Sequence, residues 1–335
     1  MKHYNIPVFV PHGGCPHDCV FCNQKRITGR AKPVGAEEAR KIIDEYLSEV
    51  KPDGFVEIAF FGGSFTGIPI EKQNELLSLA DSYIKRGLVD GIRLSTRPDY
   101  INDEILSNLK RFGVTTIELG VQSMNDEVLR KSARGHSSEC VWESARLIKE
   151  YGFSLGLQMM TGLPGDTPEI SYDTAEKLSE MKPDFVRIYP TLVIKDTALS
   201  DMLERGEYIP FTLDETVSLL ARLKMLFDEK GITVIRMGLQ TTEEISPGAS
   251  VVAGPFHAAI GELAESEIYK LKLDGLISGF KNRAVSVICA QSELSKVIGH
   301  KKRNVGYFSD KYNITLSVKA DGKIPVGELK IIEVK

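Results

Sequence analysis

No stretch of the 335 residues approaches the ~20 apolar residues that a membrane-spanning helix needs. The opening residues Met1–Asn5 carry no apolar signal core and lead straight into a strand-like run. The two absences predict a cytosolic chain with no membrane contact. Cysteine is scarce, five residues in all, and three of these crowd into eight positions, which argues against a disulfide framework. Acidic residues are thin in the last 55 positions: from Lys281 to Lys335 five acids stand against eleven bases, a net of +6. The other 280 residues hold 31 basic and 41 acidic groups, a net of −10. A basic terminal segment on an acidic body predicts a polyanion partner for that segment. Composition is otherwise ordinary for a globular protein, 42% hydrophobic and 26% charged, and the length predicts one large domain with a smaller one.

Strand-like and amphipathic helical runs alternate from the N-terminus. Strands are expected at Ile6–Val10, Val56–Phe61, Ile92–Ser95, Thr116–Val121, Leu155–Met160, Phe185–Tyr189 and Ile232–Arg236. Helices are expected at Ala36–Val50, Glu71–Lys85, Ile101–Phe112, Asp126–Lys131, Glu139–Tyr151, Glu169–Met181 and Leu213–Lys230. Repeated strand–helix units require parallel strands with right-handed crossovers. Six such units fit an open or partial α/β barrel, whose chemistry sits at the C-terminal strand ends. Residues 238–261 are irregular and rich in Gly and Pro, a connection or a lid at the barrel mouth. A helix over Glu262–Ser278 follows. Then come strand Ala284–Ala290, helix Glu293–Ile298, a turn, helix Arg303–Tyr312 and strand Ile314–Val318, a second small module. The expected division is a barrel over 1–237, a connecting segment and helix over 238–280, and a basic module over 281–335.

Cys15, Cys19 and Cys22 give the spacing C-x3-C-x2-C in the loop after the first strand. Thiolates ligate iron–sulfur clusters, and a short loop lets several reach one cube. Three ligands leave one iron open to chelate the amino and carboxylate groups of S-adenosylmethionine (SAM) and to pass it an electron. A zinc site with His12 or His17 as fourth ligand is the alternative. Cys140 and Cys289 fall in helix and strand patterns and read as inert core residues. The cysteine spacing, placed after a first strand and before a barrel pattern, resembles the radical SAM superfamily. That resemblance implies a 4Fe–4S cluster, SAM cleaved to a 5′-deoxyadenosyl radical, and Phe21 packed by the adenine.

Gly62, Gly63 and Ser64 end the second strand, where glycine permits close backbone approach and free carbonyls receive an ammonium. A plain turn is the other reading; at this strand end the run resembles the family's second signature. Arg134 follows Gln122 by twelve residues. A guanidinium with an amide suits a carboxylate, although a solvated helix-end charge would also explain Arg134 alone. The run Leu119–Gln122, Val128-Leu129 and Arg134–His136 resembles oxygen-independent coproporphyrinogen oxidases and the Elongator catalytic subunit. It implies that Gln122 and Arg134 bind SAM, with Glu118 and Ser95 as further polar contacts. Gln158–Gly165 resembles the adenosine-contacting segment, with Met160 beside adenine and Gln158 where some relatives have Asp. Ser95–Ile101 and Ile188–Ile194 resemble the Elongator catalytic subunit, and the likeness spans residues 6–240. No C-terminal acetyltransferase domain is recognisable, as in a truncated bacterial form, so acetyl-group transfer does not carry over. Tyr189, at the sixth strand's end, is a substrate-side catalytic candidate or a packing aromatic of the barrel rim.

The terminal module, with Gly299-His300-Lys301-Lys302-Arg303 between two helices, resembles a KH domain, whose G-x-x-G loop lets backbone approach nucleotide phosphates. Lys302 stands at the second glycine and would set an ammonium by the phosphate instead. Gly299, Lys301, Lys302 and Arg303 are the expected RNA contacts; a structural appendage with a solvated basic face is the alternative. His257 reads as a loop histidine and receives no role. The expected architecture is a partial (β/α)6-type radical SAM barrel with a small KH-like α/β module. The expected function is modification of an RNA base, with tRNA as substrate and an electron donor such as flavodoxin or ferredoxin. An enzyme acting on a small molecule or porphyrin, and an RNA-binding protein with a structural or redox-sensing cluster, are the alternatives.

Overall fold

The computed structural model describes residues 2–10, 18–23, 34–49, 53–239, 245–246 and 248–335. Cys15, His12 and His17 lie outside them. The chain forms two compact units: Met1–Phe211 with Phe227–Phe256, and Thr212–Leu226 with His257–Lys335.

The larger unit is built on seven parallel strands in the order β1-β2-β3-β4-β5-β6-β8, curled into a half-barrel. These are β1 (His3–Phe9), β2 (Phe55–Phe61), β3 (Gly91–Thr96), β4 (Val114–Gln122), β5 (Ser154–Thr161), β6 (Phe185–Pro190) and β8 (Thr233–Met237). Strand order follows chain order because each connection returns the chain through helix to the next parallel position, with two helices between β4 and β5. The crossovers run through α1 (Ala36–Glu49), α2 (Ile70–Lys85), α3 (Asp103–Arg111), α4 (Asp126–Lys131), α5 (Ser138–Glu150), α6 (Pro168–Glu180) and α7 (Ala198–Glu204); α8 (Leu213–Glu229) belongs up to Leu226 to the smaller unit. Capping side chains set several starts: Asn102, Asn125, Ser137, Thr167 and Thr197 each accept a first-turn N–H. Asn102 is why α3 begins at Asp103 and not at Ile101.

Alternation along the strands sorts residues by polarity. Ile6, Ile58, Ile92, Leu94, Ile117, Leu119, Leu155, Leu157, Val186 and Ile188 are buried on one face. Glu57, Arg93, Glu118, Gln158 and Arg187 occupy alternate positions that share the other face, the inside of the half-barrel. Two short strands went unpredicted, β7 (Val193–Ile194) and β9 (Val251–Ala253), which pair antiparallel. Two residues are too few to show a period.

The smaller unit holds α9 (Ile260–Ile277), α10 (Leu294–Ile298) and α11 (Arg303–Tyr312) against a sheet ordered β11-β10-β12. Its strands are β10 (Ala284–Cys289), β11 (Thr315–Ala320) and β12 (Leu329–Val334). The expected strand–helix–turn–helix–strand order is present, with β10 and β11 parallel. β12, antiparallel to β10, was missed because Ile331 and Ile332 break its alternation. The register shifts there, and Ile332 is the half-exposed residue of the bulge. The helix read as a connector places Tyr269, Leu273 and Ile277 in this unit's core with Val285, Val287, Cys289, Val297 and Phe308. Tyr269 donates its hydroxyl to buried Glu293, which also accepts from Gly327 N at 2.8 Å. No helix among the described residues is long and apolar enough to cross a membrane.

Candidate active site

Around the C-terminal strand ends of the half-barrel lie Cys19, Cys22, Gln122, Arg134 and Gln158. Cys19 and Cys22 sit in one turn, Cys22 N donating to Cys19 O at 2.9 Å. Cys19 is buried and Cys22 half-buried. Both sides of this turn are anchored: Val20 N donates to Ser132 O at 3.1 Å, and Leu199 N donates to Val20 O at 2.7 Å. Asn23 Nδ2 donates to Lys195 O at 3.2 Å, and Val20 and Phe21 pack against Val193, Leu199 and Tyr208. Phe21 thus has one side on this apolar seat.

Arg134 is buried, and its Nη1 lies 3.7 Å from Cys19 Sγ. Nη2 donates to Gly120 O at 2.5 Å, while Nε is buried with no partner. No carboxylate pairs with it among the described residues. The turn bearing it is held in left-handed conformation on both sides, Ala133 at φ 51 and Gly135 at φ 83. Gln122 at the end of β4 also has φ 71, a conformation costing a non-glycine residue about 1 kcal/mol or more. Its Oε1 accepts from Gln158 Nε2 at 3.3 Å. Gly120 faces both groups: a Cβ there would stand 2.9 Å from Arg134 Nη2 and 3.0 Å from Gln122 Nε2. Cys19, Gly120, Gln122, Arg134 and Gln158 therefore meet in one place. His136, two residues on, is pushed down to about 4 by burial and by the Arg134 charge, so it is neutral near pH 7.

The Gly62–Ser64 turn lies at the end of β2, Gly62 at φ 95. Ser64 Oγ is 2.8 Å from Thr96 Oγ1, which also meets Thr66 Oγ1 at 2.5 Å. Ser95 is half-buried and in register with Glu118. Met160 and Tyr189 are half-buried register partners on the inner face. Glu118 is engaged deeper in the barrel: Arg93 Nη1 reaches its Oε1 at 3.1 Å and Arg187 Nε its Oε2 at 2.7 Å. Arg93 also reaches Glu57 at 3.0 Å, so charges alternate Glu57, Arg93, Glu118, Arg187 across the inner wall. Arg93 lies over the Phe185 ring at 4.8 Å and Arg187 over Phe61 at 5.8 Å. Glu57, Arg93 and Arg187 were overlooked, although a lone charge inside an otherwise apolar strand marks an inward-facing position.

Asp166, in the loop after β5, was also overlooked. Its Oδ2 accepts from Gly162 N at 2.7 Å and Ser171 Oγ at 2.6 Å, while Tyr208 donates to Gly162 O at 2.6 Å. Burial pushes the Asp166 carboxyl up to about 6. A carboxyl whose folded pKa exceeds its unfolded one stabilises the fold below pH ~4, and that contribution is lost as pH rises through 6. Asp166→Asn keeps an acceptor without the charge. Relative to the parent it should gain up to about 3 kcal/mol of stability between pH 4 and pH 7, in melts across that range. A pH-independent difference would contradict this.

A thiol beside a buried guanidinium that has no carboxylate partner among the described residues, at a barrel's C-terminal edge, suits enzymes that hold a thiolate-bound metal group next to a carboxylate-bearing cofactor. Residues 9–178 match the model of the radical SAM superfamily, and residues 183–270 match the radical SAM C-terminal domain. The chain belongs to the radical SAM superfamily, and with it to the enzymes that use a 4Fe–4S cluster and SAM. It is 28% identical over 297 residues to a tRNA uridine(34) acetyltransferase of Methanocaldococcus jannaschii, covering 74% of this chain and 52% of that one. It is 31% identical over 252 residues to Elongator complex protein 3 of Homo sapiens, covering 66% and 46%. The chain spans about half the length of the curated relatives it matches. Among solved structures, an archaeal Methanocaldococcus infernus Elp3 with its N-terminus deleted shares the fold at a TM-score of 0.64 and 23% identity, covering 81% of this chain and 63% of that one.

Proposed function

We propose that the chain is a cytosolic radical SAM enzyme that modifies a tRNA base, with the cluster held by Cys15, Cys19 and Cys22. The observation that carries the site reading is Arg134, a buried guanidinium with no carboxylate partner among the described residues, 3.7 Å from Cys19 Sγ. A buried charge left unpaired is costly, and an anion bound beside it removes that cost. Arg134 and Gln122 take the carboxylate of SAM, and the turn Gly62–Ser64 its ammonium. Ser95, Gln158 and Glu118 line the polar side, Glu118 acting through its hold on Arg93 and Arg187. Phe21 and Met160 flank the adenine, and Tyr189 faces the substrate. When bound, the cluster and SAM together supply one-electron reductive cleavage of the sulfonium; a donor such as flavodoxin or ferredoxin provides the electron.

Two observations support RNA as the substrate. Both relatives named above belong to tRNA-modifying or Elongator proteins by name. In the smaller unit Gly299, Lys301 and Lys302 all take left-handed conformations, at φ 83, 50 and 61. Two exposed lysines in a row, held in this conformation, offer two ammonium groups to a phosphate. Arg303 opens α11 and pairs with Asp214 at 2.8 Å.

The test has two arms. The reduced, reconstituted protein should form 5′-deoxyadenosine; none formed would leave a structural or redox-sensing cluster. In filter binding of cellular RNA at two salt concentrations, Lys301→Ala/Lys302→Ala/Arg303→Ala should lower the log–log salt slope by up to ~0.7 per lost contact to single strands. Substrate-free SAM cleavage should not change. No RNA binding by the parent at low salt would favour a small-molecule or porphyrin substrate.

A further inference from the structure

We infer that Arg97, with Asp99, is the positioning residue that fixes the two halves of the SAM amino-acid site against each other; this rests on the site reading above. Arg97 follows β3 directly and is 3% exposed. Its Nε and Nη2 grip Asp99 Oδ1 and Oδ2, each at 2.9 Å. The same Nη2 donates to the main-chain oxygen of Arg134 at 2.6 Å. Its own main-chain N donates to Ser64 Oγ at 3.2 Å. One residue thus bonds the turn assigned to the ammonium of SAM and the turn assigned to its carboxylate.

The turn at Arg134 needs such a tie. Ala133 and Gly135 are both left-handed, so the peptide planes on either side of Arg134 are turned away from helical geometry. Arg134 N is satisfied by Leu129 O at 2.9 Å, which fixes only the entry to the turn. The bond from Arg97 fixes the exit. Without it the Arg134 carbonyl is free to rotate, and the guanidinium at Cys19 turns with its backbone. Only a planar fork serves here: Asp99 takes two N–H groups in one plane while the carbonyl takes a third. A lysine in this position would have to choose.

Anaerobically reconstituted full-length Arg97→Lys is expected to keep its iron and the EPR spectrum of the reduced cluster. SAM should bind at least about tenfold more weakly by calorimetry, the loss of one charge-assisted bond. The change that SAM induces in that EPR spectrum should half-saturate at correspondingly higher SAM and be fully restored by excess. Arg97→Gln/Asp99→Asn, which leaves no buried charge unpaired, should behave in the same way. A variant that keeps its iron and matches the parent in both titrations overturns the inference. Loss of iron or of folding in both variants marks a structural tie and overturns it too. Arg134→Ala alongside separates the levels: if it binds SAM weakly while the Arg97 variants do not, only the positioning role fails. If Arg134→Ala binds like the parent, the site reading fails with it.

Discussion

Cys22→Ala is expected to abolish both the cluster and all SAM cleavage, while Cys140→Ala and Cys289→Ala retain both. Iron is held by thiolates, so a ligand cysteine has to lose its proton easily. Cys22 is half-buried in the same turn as Cys19, and Arg134, which lies beside Cys19, comes from 115 residues further along the chain. Cys140 and Cys289 lie away from that turn. Burial pushes both thiols up, and Cys289 lies within the core of the smaller unit among Val285, Val287 and Val297. Truncating Cys289 should lower stability by about 1 kcal/mol through the small cavity it leaves, without touching iron. Iron content and 5′-deoxyadenosine yield of the three variants decide the matter. Loss of iron from Cys140→Ala or Cys289→Ala as complete as from Cys22→Ala would refute the ligand assignment.

Arg134→Ala should weaken SAM binding by about 1.5–3 kcal/mol, the scale of hydrogen bonds to a charged group. That corresponds to roughly ten- to a hundredfold or more in affinity. The cluster should still assemble, because the guanidinium is assigned to the ligand and not to iron. Stability should move the other way from an ordinary buried truncation. In the absence of SAM the parent carries a buried charge with no counter-ion among the described residues, so removing it relieves desolvation, which offsets the lost packing and the lost hydrogen bond to Gly120 O. The expected signature is an unfolding temperature of the SAM-free protein that is little changed, with the SAM-induced rise largely lost. Unchanged SAM affinity by calorimetry would end the assignment; a large fall in stability without SAM would make Arg134 a structural residue.

What the sequence made legible was local. The cysteine spacing, the Gly62-Gly63 turn and the pairing of Gln122 with Arg134 lie within short windows, and so does the two- or 3.6-residue period of the long elements. Arg97, Asn23 and Asp166 escaped notice because the bonds that place them run to main-chain atoms, the Arg134 carbonyl, the Lys195 carbonyl and the Gly162 amide, beside local side-chain partners. Main-chain atoms leave no trace in a side-chain pattern, and any residue type offers them. Glu118 shows the converse difficulty. Its place near a strand end was readable, but its two guanidinium partners come from β3 and β6, and only the closed register brings Arg93 and Arg187 to it. β12 was hidden by a bulge, and β7 by its brevity.

The seat of the cysteine turn also says where this protein can be divided. The superfamily match ends at residue 178, yet Val20, Phe21 and Asn23 rest on Val193, Leu199, Tyr208 and the Lys195 carbonyl, all beyond that point. A fragment cut at the edge of the match would keep every cysteine of the C-x3-C-x2-C run and lose the floor beneath them. The natural unit of inheritance and grafting is therefore longer than the stretch that sequence comparison first marks out: the motif and its support travel together, or the motif arrives without a shape.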